Sequence, residues 1–338
     1  MGRWQRAVET VAVSPWASRS VLVTGATGLV GSNLCRRLLV EGARVVGLIA
    51  DDDPTSELAR SGSLSQMVVM SGRLERYEDV ERAINNTEVD SVIHLGAQPI
   101  VGAAGRAPRH TFETNIQGTW NVLDACRAIG GRVKRIVVAS SDKAYGASSV
   151  LPYVESMPLA GVQPYEVSKS CTDLIALSYA KTYGLPIAVA RCGNIFGPGD
   201  LNWNRIVPGT MRSLIRGEQP VIRSDGSLIR DYLHVDDVTD AYLTLADGAD
   251  RFVGEAFNFS DEAPMSVLEI YAAICEAAGM PDKKPSILGE ASDEIPAQYL
   301  DASKARAQLD WSASVSLADG LARTFEWYRE YLGTINER

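Results

Sequence analysis

Ser20-Val-Leu-Val-Thr-Gly25-Ala-Thr-Gly28-Leu-Val-Gly31 is the stretch whose reading decides the fold. Ser20 to Thr24 is short, apolar and rich in β-branched residues, which predicts a buried strand. Ser32 to Val40 then takes helical periodicity, and Arg44 to Ile49 supplies the next strand. Three glycines spaced three apart, between a strand and a helix, allow a tight turn. They also let the backbone approach a diphosphate whose charge sits at the helix N-terminus. A glycine triplet alone is weak; the strand, turn, helix and second strand around it make it specific. Gly25, Thr27, Gly28, Leu29, Val30 and Gly31 are therefore the expected dinucleotide cradle.

The same alternation continues outward. Gln66 to Met70 reads as a third strand, Tyr77 to Ile84 as a helix and Ser91 to Leu95 as a fourth strand. Leu95 ends that strand, also a candidate cofactor contact, and Gly96, Ala97 and Gln98 follow as small or polar residues that let a cofactor approach closely. A long helix is expected over 111–129, with Asn115 near its start, then strands at Arg135 to Ala139 and Ile187 to Ala190. An acid that binds the adenosine ribose is expected at the end of the second strand. Counting places it near Ile49; Asp51 could serve from a longer turn, or Asp51 to Asp53 could be a solvated loop. No arginine stands there to receive a ribose phosphate, which favours NAD and leaves NADP open. The pattern predicts an α/β protein, a doubly wound parallel sheet of Rossmann type with a smaller α+β substrate-binding region.

The fifth strand delivers Ser140-Ser-Asp-Lys143, and after a loop punctuated by Pro152, Pro158, Gly161 and Pro164 a helix is expected over 165–183. Strand carboxyl ends are where ligands bind in such sheets. Tyr165 and Lys169 are four apart, on one helix face. An ammonium beside a phenol, whose free pKa is about 10, favours the phenolate, so the pair is a usable proton shuttle. Asp142 and Lys143 add a second acid and base nearby. The helix is apolar on more than one face (Leu174, Ile175, Leu177, Tyr179), so a second subunit is expected to cover what the sheet does not.

Composition narrows the classes. The chain has 338 residues, 46% hydrophobic and 22% charged, with a formal charge of −9, which argues against a nucleic-acid surface. Cys35, Cys126, Cys171, Cys192 and Cys275 are scattered, and His94, His110 and His234 lack ligand spacing, so no metal site is expected. No run approaches the roughly 20 apolar residues of a membrane span. Met1 to Ser18 lacks a sustained apolar signal core, and the expected location is the cytoplasm.

From Arg191 to Asp200 the chain is too rich in glycine and proline to be regular, and a second region is expected from there. The expected division is 1–193 for cofactor binding, with 233–260 returning to it, and 194–338 mainly for substrate. Within the second region a helix is expected over 205–216, a strand over 221–223, and a helix over 235–246 exposing Asp236, Asp237 and Asp240. A loop-rich stretch over 283–296 and a closing helix over 317–331 complete it. Arg205 and Arg223 are candidate diphosphate ligands, arginine forks being suited to phosphate.

These motifs resemble an extended short-chain dehydrogenase/reductase of the NAD-dependent sugar-nucleotide epimerase and dehydratase branch. The likeness spans residues 18–332 and rests on Thr24-Gly25-x-x-Gly28-x-x-Gly31, His94-Leu-Gly-Ala97, Thr114-Asn115-x-x-Gly118-Thr119, Tyr165-x-x-x-Lys169, Arg191-x-Gly-Asn194-x-x-Gly197-Pro198 and Arg230-Asp231-Tyr232-x-His234-Val235. Ser141-Asp142-Lys143 is similar to the signature of the 4,6-dehydratases, and Gln98-Pro99, Gly199-Asp200-x-x-Trp203-x-Arg205 and Pro15-Trp16 resemble those acting on CDP-glucose. Arg230-Asp231-Tyr232 keeps the general form of the branch.

The resemblance implies a nucleotide-diphosphate sugar as partner and a homodimer through the helices over 111–129 and 165–183. It implies cofactor contacts from Asn115, Ser140, Tyr165 and Lys169, and substrate contacts from Gln98, Asn194 and Arg230 besides Arg205 and Arg223. The implied reaction is oxidation at C4, loss of water across C5–C6 and hydride return to C6. In it Tyr165 is base at the 4-hydroxyl, Lys169 its partner, Ser141 a ligand of the 4-oxygen, Asp142 the acid for the departing 6-hydroxyl and Lys143 the base at C5 or an electrostatic partner in that step. A sugar-nucleotide 4-epimerase or 4-oxidase would leave Asp142 idle. A non-catalytic dinucleotide-binding regulator is the reading from another class.

Overall fold

The computed structural model describes residues 14–290 and 294–336; the Met1 to Val13 part of the segment read for a signal lies outside the described residues. Six strands lie in one sheet with Glu255–Phe259: β1 (Ser20–Thr24), β2 (Arg44–Ile49), β3 (Val68–Ser71), β4 (Ser91–His94), β5 (Arg135–Ala139) and β6 (Ile187–Cys192). Their order is β3-β2-β1-β4-β5-β6 followed by Glu255–Phe259, with every pairing parallel. This is the Rossmann-type doubly wound sheet. The order reverses between β1 and β4, so a crevice opens at their carboxyl ends. Register sets Thr24 opposite His94 and His94 opposite Val138, which brings Gly25, Leu95 and Ala139 to one edge.

Period-two alternation divides each strand between two cores. Val21 and Val23 pack with Leu34 and Leu38 of α1 (Leu29–Val40) and with Val238 and Leu245 of the helix Val235–Asp247. Leu22, Val92 and Val138 point the other way, against Val80, Val122, Leu123 and Ala176. Each such side chain, fully removed from water, contributes about 1.5–3 kcal/mol before chain entropy is counted. A third core joins Met211, Ile270, Ile274, Leu321 and Tyr328 beside the cleft, holding together the helices Ile206–Ile215, Val267–Ala277 and Leu317–Asn336.

Three local expectations change, and one further helix forms. The helix expected over 111–129 runs as Pro108–Phe112 and Gly118–Ala128 with a π-helical turn at Glu113–Gln117 between them. That turn buries Asn115, whose amide grips the Gln98 backbone from both sides (Oδ1 accepting from Gln98 N at 2.6 Å, Nδ2 donating to Gln98 O at 3.2 Å). The segment after Arg191 is not wholly irregular: β6 continues to Cys192, and Asn194–Phe196 pairs with Tyr232–His234. Asp237 is buried rather than exposed, because its carboxylate accepts hydrogen bonds from Ser314 N and Oγ and from Val315 N at 2.8–3.1 Å. Finally, Val101–Arg106 is helical although its two glycines disfavour a helix. Among the described residues no helix is long and apolar enough to cross a membrane, and no three His, Cys, Asp or Glu side chains group as metal ligands.

Candidate active site

Glycine is required at the turn by two close approaches. Gly25 has φ of +69°, and a Cβ there would meet Gly96 at 2.8 Å. A Cβ on Gly31 would lie 2.0 Å from the Gly25 carbonyl oxygen. The turn therefore closes onto the start of α1, where Gly28 is the N-cap and no side chain caps the first amides. Gly25 and Thr27 to Gly31 line a cleft of about 700 Å³. Open amides at a helix N-terminus, a turn no side chain could fill and a cleft beside them fit the diphosphate of a dinucleotide.

Buried polar groups hold the far side of this turn. Gly96 N donates to Thr24 Oγ1 at 3.0 Å, and Thr24 Oγ1 meets His94 Nδ1 at 2.8 Å. His94 Nε2 meets Thr119 Oγ1 at 3.2 Å, and Thr119 Oγ1 donates to Asn115 O at 2.6 Å. Only one proton arrangement satisfies all four contacts: Thr24 gives its proton to Nδ1, and Nε2 carries the imidazole hydrogen. Burial, with Lys169 adding to it, lowers the His94 pKa to about 3, so the ring stays neutral. Its role is to fix the loop after β4.

Across the cleft, β5 ends in Ser140 to Lys143, and the helix Pro164–Tyr183 presents Tyr165 and Lys169; all six side chains line the cavity. A capping box between Gln163 and Glu166, with Pro164 in the first turn, fixes where that helix begins. Ser141 Oγ donates to Asp142 Oδ1 at 2.8 Å, while Asp142 Oδ2 is buried without a partner. Asp142 and Lys143 form no ion pair; the Lys143 ammonium donates to Gln298 Oε1 at 2.7 Å. Lys169 Nζ donates to Ala139 O at 2.8 Å, and burial, opposed by Asp173, lowers its pKa to about 8.

The phenolate at Tyr165 is expected with both Lys169 and a cofactor charge beside it, and the protein alone lacks the second. Burial pushes Tyr165 up to about 12, outweighing the opposing pull of the Arg205 charge and of a hydrogen bond with Ser141, while Asp142 reinforces the rise. Desolvation of a phenolate costs more here than these neighbours return. Tyr165 holds its proton at neutral pH until a further positive charge arrives.

On the remaining wall stand Asn194, Arg205, Arg223 and Arg230. Arg205 reaches Asp200 at 3.1 Å, Arg223 donates to Asn204 Oδ1 at 2.6 Å, and Arg230 reaches Glu294 at 3.3 Å. Arg205 and Arg223 are each held by a single side chain, which leaves further donors for an anion, whereas Arg230 also gives Nη1 to the Ile229 and Pro296 carbonyls.

Four candidates lie outside the cavity wall. Asp51 is exposed and pairs with Arg73 at 2.9 Å. Gln98 turns its Oε1 to Ile100 N at 2.6 Å, closing a turn rather than facing a ligand. Asn115 and Gly96 support the lining residues from behind. The cavity also includes Tyr232, Tyr242, Cys192, Asn202, Asn204 and Glu294, which sequence reasoning did not single out. Asn202 and Asn204 flank Trp203 in a polar run after Gly197-Pro-Gly199, a signal that was available; Tyr242 and Glu294 carry none.

Comparison with known proteins follows this geometry. The sequence model of the NAD dependent epimerase/dehydratase family matches residues 21–259. A CDP-glucose 4,6-dehydratase from Salmonella typhimurium is 31% identical, covering 94% of this chain and 92% of that protein. A UDP-glucose 4-epimerase from Mycolicibacterium smegmatis is 30% identical over 91% of this chain and 97% of that one. The crystal structure of a dTDP-glucose 4,6-dehydratase from Streptomyces venezuelae superposes with a TM-score of 0.84 at 27% identity, covering 93% and 98% of the two chains.

Proposed function

The chain belongs to the NAD-dependent epimerase/dehydratase family of nucleotide-sugar enzymes, and within it we propose a 4,6-dehydratase that converts an NDP-hexose, with a CDP-glucose-like substrate favoured, to the 4-keto-6-deoxy sugar. The observation that carries this reading is Asp142, a buried carboxylate at the end of β5 with one oxygen bonded to Ser141 and the other unpartnered. Transfer of hydride at C4 alone gives such an acid nothing to do. Elimination needs a proton donor to the departing 6-hydroxyl, and Oδ2 is the oxygen that can carry it.

The glycine turn, the N-terminus of α1, Ala97, Ser140, Tyr165 and Lys169 would hold NAD. When bound, NAD supplies the hydride acceptor for C4 and donor for C6, and a positive charge beside the buried phenol. Tyr165 takes the 4-hydroxyl proton; Ser141 bonds the same oxygen as its negative charge develops. The 4-ketone acidifies C5. Lys143 removes the C5 proton, the C5–H electrons form the C5–C6 double bond, and the C6–O bond breaks as Asp142 protonates the leaving oxygen to water. Arg205, Arg223, Arg230 and Asn194 hold the diphosphate and orient the sugar. Two copies pair through the helices around Trp120, Leu174 and Tyr183, whose side chains are exposed on adjacent elements.

Asp142→Asn tests the reading: dehydration should fall by about 10²–10⁴-fold, with substrate affinity kept. Full activity in that variant would remove the acid assignment. The identity with a UDP-glucose 4-epimerase favours epimerisation as the second reading; it predicts a product isomer of unchanged mass and an indifferent Asp142→Asn.

A further inference from the structure

The stretch after Pro296 folds back to the active site. Ala297–Gln298 runs parallel to Ile229–Arg230, with Gln298 in register with Arg230. On its other side Tyr153 clasps the same chain, its N donating to Tyr299 O at 3.0 Å and its O accepting from Asp301 N at 2.9 Å. Tyr153 is fully buried and stacks on Tyr145 with ring centroids 4.8 Å apart. Gln298 is thus fixed from both flanks and fully buried.

A buried glutamine normally satisfies both ends of its amide. Here the Oε1 end accepts from Lys143 Nζ at 2.7 Å. Its Nε2 end is buried without a hydrogen-bond partner. The one well-made contact of this side chain is with the active-site lysine.

We infer that Gln298 is the positioning residue for Lys143, holding its amine against the substrate cleft for proton removal at C5; this rests on the dehydratase reading above. Lysine carries a flexible four-carbon stem, so an amine without an anchor samples many rotamers. An amide oxygen orients the ammonium through a charge-assisted hydrogen bond without placing a second charge beside it. The lysine is held in place without the carboxylate that would oppose loss of its proton.

The test uses the full chain with NAD and the four probes CDP-, GDP-, UDP- and dTDP-glucose, comparing wild type with Gln298→Leu and Gln298→Glu. Gln298→Leu removes the acceptor. It should lower kcat on the order of 10- to 100-fold with KM changed less than about twofold. On mixing with substrate, the reduced-nicotinamide absorbance should rise at the wild-type rate and decay slowly, because only the elimination waits on Lys143. Gln298→Glu keeps an acceptor but adds a carboxylate that opposes loss of the lysine's proton, so its decay phase should be slow at neutral pH and recover toward wild type as pH is raised.

Unchanged kcat and unchanged decay in Gln298→Leu would overturn the inference. So would a rise in KM alone, which would assign Gln298 to the strand that carries Arg230. If Gln298→Leu does not fold, a Gln298→Glu protein whose decay phase is slow at neutral pH and recovers at higher pH keeps the inference, and one whose decay matches wild type at every pH, or whose slow phase lies in the first hydride step, removes it. Wild type that turns over a probe without losing water would instead sink the dehydratase reading, and this assignment with it.

Discussion

On one wall of the cleft, Gly25, Gly28 and Gly31 shape the surface by lacking side chains, and Thr24, His94, Thr119 and Asn115 hold it from behind through buried hydrogen bonds. On the opposite wall, Arg205, Arg223 and Arg230 shape it with long side chains, and Arg230 leans on Glu294, whose side chain is 56% exposed. The first wall is made of backbone, which cannot adapt; the second is made of long cationic side chains, of which Arg205 and Arg223 each have one side-chain partner while Arg230 also donates to the Ile229 and Pro296 carbonyls. A common cofactor suits the rigid wall. Variable sugars and bases suit the adjustable one.

The sharpest way to break this contrast is Gly31→Ala. Its Cβ would fall 2.0 Å from a backbone oxygen, so the turn must open. Losing one or two hydrogen bonds to a charged diphosphate, at about 1.5–3 kcal/mol each, predicts NAD affinity down on the order of 100-fold by titration calorimetry. Undiminished affinity would mean the rigid wall is not the cofactor wall.

Asp231 tests the seam, where a Cβ on Gly193 would lie 2.1 Å from its Oδ1. Burial, opposed by a hydrogen bond from Ser260 and reinforced by the Asp142 charge, pushes its carboxyl up to about 7. The folded chain therefore keeps a proton that the unfolded chain gives up near pH 4, and stability is lost as pH rises from about 4 to 7. Asp231→Asn should remove about 2–4 kcal/mol of that fall. Urea unfolding across the window checks it, and a slope identical to wild type would refute it.

Arg230→Met probes the adjustable wall. The loss of one charged hydrogen-bond donor set predicts KM raised about 10- to 100-fold, with bound NAD unchanged when the purified protein is assayed for cofactor. A loss of NAD instead would erase the distinction between the walls. The smallest effect is expected at Asp51→Asn: an exposed pair with Arg73 is worth about 0.2–1 kcal/mol, so NAD affinity should change less than about fivefold. A tenfold loss would return Asp51 to the cofactor site.

The same contrast explains what could be read from the sequence. Gly25-x-x-Gly28-x-x-Gly31 works through backbone shape at fixed spacing, so its place between β1 and α1 was visible, as was Tyr165-x-x-x-Lys169 on one helix face. Asp51 stayed open between two readings because an acid beyond a strand end looks alike whether it faces a ribose or an exposed arginine. Asp237 misled because its partners, Ser314 and Val315, are far along the chain. The Tyr165 pKa was missed because spacing shows a lysine one turn away but not how completely both are buried. Gln298 and Glu294 reach the site through strand pairing across the second region, for which no local pattern exists.

The central claim is tested most directly by the mass of the product. Purified protein with NAD and CDP-, GDP-, UDP- or dTDP-glucose should yield, from one of them, a nucleotide sugar lighter by one water, and Asp142→Asn should yield far less of it. A product of unchanged mass, resolved as a new isomer and formed equally well by Asp142→Asn, would contradict the account and make the chain an epimerase.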